Sequence, residues 1–295
     1  MTVVIMTLTT RVSGEMELIA VADRLLSGGG FSMQLGPGSK VVPLYNPNAK
    51  GGANWLLGFA GDTSWFLPIR EAIRAITTDD SSGDEVVEAA RAGYVAQRRR
   101  VFEQTVLSPF GLDVPSLLSK GRAIFGEDEF NRLCCALTDF DFRFQLVLGG
   151  WSKAKQQTRL VSIENPGVVI DHFIEGAVAI GEGAALAAGH LWATYNRYGS
   201  RERALYRVVE AKFISEATRS VGPDTTVFVM DFDGGIRHVL NDNCEKLRVV
   251  WSARRKNVPK AHAALLEVEE MKWIGHPAGD DIEPLPEEQQ HKGGD

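Results

Sequence analysis

Apolar residues fill positions 3–10 (VVIMTLTT) and return at 17–22 (ELIAVA), with Val12-Ser13-Gly14-Glu15 between them. Two β-rich runs around a turn signal predict a hairpin. Residues 26–38 hold five glycines and a proline and read as loop. Strands are then expected at 40–45 and 54–60, with a turn from Asn46 to Gly52. Phe66, Ile69, Ile73 and Ile76 recur at spacings of three and four, which predicts a helix over 63–76, with Pro68 tolerated near its first turn. A break at 79–84 supplies acids for the start of a second helix over 84–105. That helix carries Arg98, Arg99 and Arg100, expected on a solvated face.

Residues 107–141 hold short apolar pieces around Pro109, Pro115 and Gly126 and read as an insertion with one or two short helices. Strands resume at 143–150, 158–163, 168–172 and 177–181. Helices are predicted from Gly183 to Tyr195 and over 201–219, and strands at 225–231, 236–240 and 246–251, with a turn at Asp233-Gly234-Gly235. Beyond Trp251 a helix is expected over 259–272 and a disordered acidic tail over 275–295. Strands grouped with strands and helices with helices indicate an α+β fold. Two antiparallel sheets packed face to face, each covered by a helix pair, would bury every apolar set. The expected division is one domain over 1–255 and a C-terminal extension over 256–295.

Bulk properties narrow the function classes. A hydrophobic content of 44% and 24% charged residues fit a globular chain, and a formal net charge of -6 leaves no basic footprint for nucleic acid. No run approaches the about eighteen apolar residues of a membrane span. Three cysteines, two of them adjacent at Cys134-Cys135 and expected to be buried, do not space a disulfide framework or a metal site. No cofactor is expected, and with no leader pattern the chain is expected in the cytoplasm. Trp65, Trp151, Trp192 and Trp251 are expected in core or interface, and Arg254-Arg255-Lys256 in solvent.

The chemistry concentrates at the front. Thr2 follows the initiator Met1, an apolar run ends in Ala22-Asp23-Arg24, Ser39-Lys40-Val41-Val42 follows, and then Leu57-Gly58-Phe59-Ala60-Gly61-Asp62-Thr63. A threonine hydroxyl needs an adjacent base, and an α-amine that titrates near about 7.7–8.0 is well matched to neutral pH. This order of Thr, Asp, Lys and a glycine-rich strand end resembles the front half of a proteasome-type β subunit, an N-terminal-nucleophile hydrolase, over residues 2 to 250. The resemblance implies a four-layer αββα sandwich, Thr2 as nucleophile once Met1 is removed, Lys40 as nearby positive charge, Asp23 as its holder, and the Gly61 N–H as oxyanion donor. Thr7 is a rival nucleophile, because its separation from Asp23 is the usual one in the family. Thr2 is preferred, since exposing Thr7 needs an internal cut through an apolar strand.

The back half departs from the family pattern. Glu182, in Gly181-Glu182-Gly183, takes the place of a serine, and Ser220 takes that of an aspartate, with Asp224 the nearest acid. Two functions remain open on these residues: a Thr-dependent amide hydrolase, and a catalytically silent subunit kept for assembly or binding. The resemblance implies peptide or protein substrates, a homo-oligomeric ring with sites facing a shared interior, and an ATP-dependent unfoldase as a candidate partner. Neither nucleic acid nor membrane is expected.

Overall fold

The structure, a computed structural model, describes residues 2–11, 14–28, 31–34, 39–44, 55–78, 81–152, 157–231 and 235–255. The expected turn from Asn46 to Gly52, the tip at Asp233-Gly234 and everything from 256 onward lie outside the described residues.

The opening hairpin forms as the pattern requires, from β1 (Val4–Thr10) and β2 (Met16–Asp23), in a register that pairs Val4 with Ala22 and Thr10 with Met16. The segment 26–38, read as loop, contains instead a short hairpin of β3 (Leu25–Gly28) and β4 (Phe31–Gln34). Its glycines hid the strands. Next come β5 (Val41–Pro43), β6 (Trp55–Ala60), α1 (Thr63–Ile76) and α2 (Gly83–Phe102). Helix α1 starts at Thr63 with Asp62 as N-cap, and Pro68 is accommodated inside it. Ser82 and Glu85 close a reciprocal capping box on α2.

The insertion is mostly helical: a π turn at Glu103–Leu107, a single 3-10 turn at Ser108–Phe110, then α3 (Val114–Phe125) and α4 (Glu127–Thr138). It has a small core of its own around Phe102, Leu107, Leu117 and Leu133. Strands β7 (Gln145–Ser152), β8 (Gln157–Glu164), β9 (Val168–Asp171) and β10 (Ala177–Ile180) follow. The chain then forms α5 (Ala184–Thr194), α6 (Arg201–Ser215), β11 (Thr225–Met230), β12 (Ile236–His238) and α7 (Asn241–Arg255).

Three other expectations are overturned. The run 246–251 is not a strand but the middle of α7, whose Cys244, Leu247 and Val250 are buried at helical spacing. Arg98 is not solvated: it is buried and donates to the carbonyls of Leu137, Thr138 and Phe140 and to Asn165 Oδ1. Cys135 is exposed and Cys134 half-buried, because α4 buries chiefly Leu133.

Two antiparallel five-stranded sheets result, ordered β10-β1-β2-β11-β12 and β5-β6-β7-β8-β9. Alternation along the strands sorts side chains into two sets. Val4, Met6, Leu8, Leu18, Ala20 and Phe228 of the first sheet pack with Leu56, Val147 and Leu160 of the second. Ile5, Ile19, Val21, Val227 and Val229 turn the other way and meet α5, α6 and α7. Leu57, Phe59, Leu146, Leu148, Val161 and Ile163 meet α1 and α2. Strands buried on both faces read as continuous apolar runs, which explains why residues 3–10 show little alternation in sequence.

The sheets approach closely where side chains are missing. A Cβ on Gly149 would lie 2.2 Å from a Leu18 methyl, and one on Gly58 2.7 Å from Val4 Cγ1. Leu18 thus fills space that Gly149 leaves open. Leu18→Ala should cost about 2–5 kcal/mol, as for other buried leucine truncations. Urea denaturation reads this directly, and a loss of less than about 1 kcal/mol would contradict tight packing between the sheets.

Candidate active site

Asp23 is the last residue of β2, and the starts of β1 and β11 flank it: Val4 pairs with Ala22, and Thr225 with Asp23. Its carboxylate has no exposed surface. Thr2 donates its hydroxyl to Asp23 Oδ1 at 2.6 Å, and the Val3 N–H reaches the same oxygen at 2.9 Å. Lys40 Nζ lies 3.1 Å from Oδ2 and 3.3 Å from Oδ1. The Gly222 N–H, from the turn before β11, reaches Oδ2 at 3.3 Å. Thr2, Asp23 and Lys40 therefore converge although their elements belong to different parts of the chain.

Each partner has a local reason for its place. Lys40 stands just before β5, its carbonyl accepting from the Phe59 N–H at 3.1 Å, so β6 fixes it. Burial pulls the Lys40 pKa below the usual lysine range, and the charge and hydrogen bonds of Asp23 pull it back up. Removing water raises the cost of the ammonium, and the neighbouring carboxylate offsets that cost. Thr2 is held through its backbone too: its carbonyl accepts from the Gly183 N–H at 3.2 Å. Gly181, at φ +91°, lets the chain pass so close that a Cβ there would sit 2.3 Å from that carbonyl. No other residue fits this approach.

Thr2 and Lys40 open onto a cleft of about 830 Å³. One wall is the corner after β6, Ala60 to Thr63; another is the strand entry Asp141 to Gln145; Gly181 and Glu182 complete the rim. Gly61 adopts φ +129°, and a Cβ would lie 2.7 Å from the Arg143 carbonyl and 2.8 Å from the Phe144 ring. The glycine is thus required by its backbone angle and by the adjacent wall, in addition to any ligand. Trp65, Phe142 and Phe144 form an aromatic group at one side, with Trp65 and Phe142 ring centroids 5.0 Å apart.

The remaining residues singled out from sequence fall in different settings. Glu182 is exposed on the rim beside Thr2. Ser220 is buried, and its Oγ has no hydrogen-bond partner among the described residues. Asp224 is half-buried just after the Gly222–Pro223 turn and is not among the residues lining the cleft. Thr7 lies buried in mid-strand, paired with both Ile19 and Ala177. Two participants had escaped notice. Gln145 accepts from the Gly181 N–H at 2.9 Å and donates to Glu164 at 3.4 Å, linking two walls of the cleft. Gly222 supplies a backbone donor, for which side-chain chemistry offers no signal.

The Asp23–Lys40 pair is buried on both sides, with side-chain exposures of 0% and 3%. Asp23→Asn would strand the Lys40 ammonium and should cost about 3–5 kcal/mol. Adding Lys40→Met should return a large part of that loss, because the stranded charge is then gone. Chemical denaturation of the three variants checks this; additive losses in the double variant would mean that the two charges do not depend on each other.

Searches against family models and against curated proteins return no match. Among solved structures, the chain is similar in fold to the Anbu (Gly-1) mutant from Hyphomicrobium sp. strain MC1 at a TM-score of 0.59 and 14% identity, over 87% of this chain and 96% of that one.

Proposed function

We propose that the chain is a Thr-dependent amide hydrolase of the proteasome-β, N-terminal-nucleophile type, with the two sheets and their helices forming that family's four-layer αββα sandwich. The observation that carries this reading is the convergence of the Thr2 hydroxyl, Asp23 and Lys40 at one cleft that Gly61 also lines.

Release of Met1 would turn the Thr2 nitrogen into an α-amine. That amine takes the Oγ1 proton as Oγ1 bonds to the carbonyl carbon of a peptide. The Gly61 N–H and the Lys40 ammonium stabilise the charge that develops on the carbonyl oxygen. The protonated amine then gives its proton to the departing peptide nitrogen, leaving an ester on Thr2. Water, deprotonated by the same amine, cleaves that ester and restores the hydroxyl. Asp23 keeps Lys40 in place, and the single Thr2 hydroxyl proton, donated to Asp23 while Met1 is attached, turns to the amine for the attack.

Intact mass and labelling test this. Purified protein should lack Met1, and a β-lactone should modify Thr2 at a rate that climbs with pH through about 7.7–8.0, as an ordinary α-amine loses its proton. Thr2→Ala should abolish labelling. Retention of Met1 on every molecule, or undiminished hydrolysis by Thr2→Ala, would overturn the reading.

A second reading is a silent subunit of the same fold. Two observations favour it: Glu182 stands where the resembled family carries a serine, and Thr2 is 2% exposed. A β-lactone that leaves Thr2 unmodified after Met1 release would select it.

Both readings include assembly into a homo-oligomer. Helices α1 and α5 carry apolar residues outside the core: Ile76 is 59% exposed, and Leu186 and Trp192 on α5 are 43% and 80% exposed. Leaving such side chains in water is unfavourable, and closed symmetry is the usual way to cover them. Light scattering at micromolar concentration should find a multiple of the chain mass; a stable single chain would contradict it.

A further inference from the structure

Lys212, in the last turn of α6, has no exposed surface. Its ammonium has three N–H donors. Three oxygens meet them: Glu216 Oε1 at 2.5 Å, the Gly222 carbonyl at 2.8 Å and the Pro223 carbonyl at 2.8 Å. Glu216 is held from the other side by Arg248 of α7, whose Nη1 and Nη2 lie 2.7 and 2.8 Å from its two oxygens. Arg248 also donates to the Pro223 carbonyl. Two cations thus grip one turn, and that turn offers its Gly222 N–H to Asp23.

We propose that Lys212 is a positioning residue for the Thr2 site, pinning the Gly222–Pro223 turn so that the Gly222 N–H occupies Asp23 Oδ2 while Oδ1 stays on Thr2 and Val3.

The arrangement has a steric and an electrostatic side. Gly222 is fastened at both ends, its carbonyl to Lys212 and its N–H to Asp23. Without the ammonium, the buried Gly222 carbonyl would lose its donor, while Arg248 would still hold Glu216 and the exposed Pro223 carbonyl, and the turn would shift at Gly222 to find water. Asp23 would then meet Lys40 and Thr2 with one fewer fixed contact. Burial lowers the Lys212 pKa to about 8, against the opposing charge and hydrogen bond of Glu216 and, more weakly, the charge of Asp23. The groups facing Lys212 are thus Glu216 from its own helix, Arg248 from α7 and Asp23 from β2.

The catalytic consequence rests on the hydrolase reading; the positional role does not, and the experiment separates them. In the full-length protein, Lys212→Met removes the donors at similar size, Lys212→Arg keeps a cation, and Arg248→Ala loosens Glu216 from a half-exposed position. Amide exchange at Gly222 should quicken about tenfold or more in Lys212→Met, with β7 amides unchanged. Acylation of Thr2 by a β-lactone should slow about tenfold, kcat should fall with it, and KM should stay within about twofold, the pattern of lost transition-state support. Lys212→Arg should recover part of both effects, and Arg248→Ala should show them more weakly.

Unchanged Gly222 exchange in Lys212→Met would overturn the positional role. If the Met variant does not fold, the same result in Arg248→Ala would do so. Faster Gly222 exchange with acylation at the wild-type rate would overturn the link to the site. If the wild-type protein itself does not acylate while Gly222 exchange responds, the hydrolase reading fails and the positioning of Asp23 by Lys212 stands.

Discussion

One buried carboxylate ties the molecule together. An ionised group fully out of water is tolerated only when it is paired and hydrogen-bonded, and losing either is expensive. Asp23 meets that demand with donors from three separate segments: Thr2 and Val3 at the head of the chain, Lys40 ahead of β5, and Gly222 ahead of β11. Two of these segments lead into the first sheet and one into the second. Asp23 therefore fixes the ends of three strands and joins the two sheets at one end. A register slip of one residue in β1 or β11 would turn its side chains to the opposite face and remove a donor from Asp23 as well, so fold and site guard each other.

The cleft inherits its rigidity from the same economy. Its second wall, Asp141 to Gln145, is the exit of the helical insertion, which could otherwise swing on its long connection. Arg98, buried, donates to the carbonyls of Leu137, Thr138 and Phe140 just ahead of that wall and to Asn165 Oδ1, at 2.8 to 3.2 Å. Tyr94 adds a hydrogen bond to the Phe144 carbonyl at 2.7 Å. Both donors belong to α2, whose own position is set by the second sheet. This wall is thus anchored to the core that supports β6 and Gly61, and Gln145 carries the tie across to Gly181.

The sequence made the front half of the site legible because each member has a distinctive chemistry at a strand end: a second-position Thr, an acid closing an apolar run, a lysine opening one, a glycine closing another. The opening hairpin and the first two helices were legible for the same reason, since burial imposes a pattern on them. What stayed hidden was held by backbone atoms or by residues of misleading type. Gly222 acts through its N–H, and Gln145 through an amide in a strand that reads as ordinary. Lys212 and Arg98 carry charges that suggest solvent, and their burial depends on carbonyls supplied by distant turns. In α7, Val249, Val250 and Trp251 favour a strand locally. The helix wins because Cys244, Leu247 and Val250 fall on one face against the first sheet; packing outweighs propensity.

Glu182 is where the two functional readings part, and charge balance says how far. Lys40 and Asp23 form a neutral pair, so on the hydrolase reading the Thr2 amine would feel their difference rather than a full positive charge. Glu182, between two glycines in contact with Thr2, would then add a negative charge on that side and favour the protonated amine. Its carboxylate faces solvent, where the effective dielectric is high and salt screens it, so the effect is a modest rise in the amine pKa. A rise of that kind moves the working pH upward without removing the base. On the hydrolase reading, exposure rather than the identity of the residue makes a glutamate at this position compatible with a nucleophile beside it.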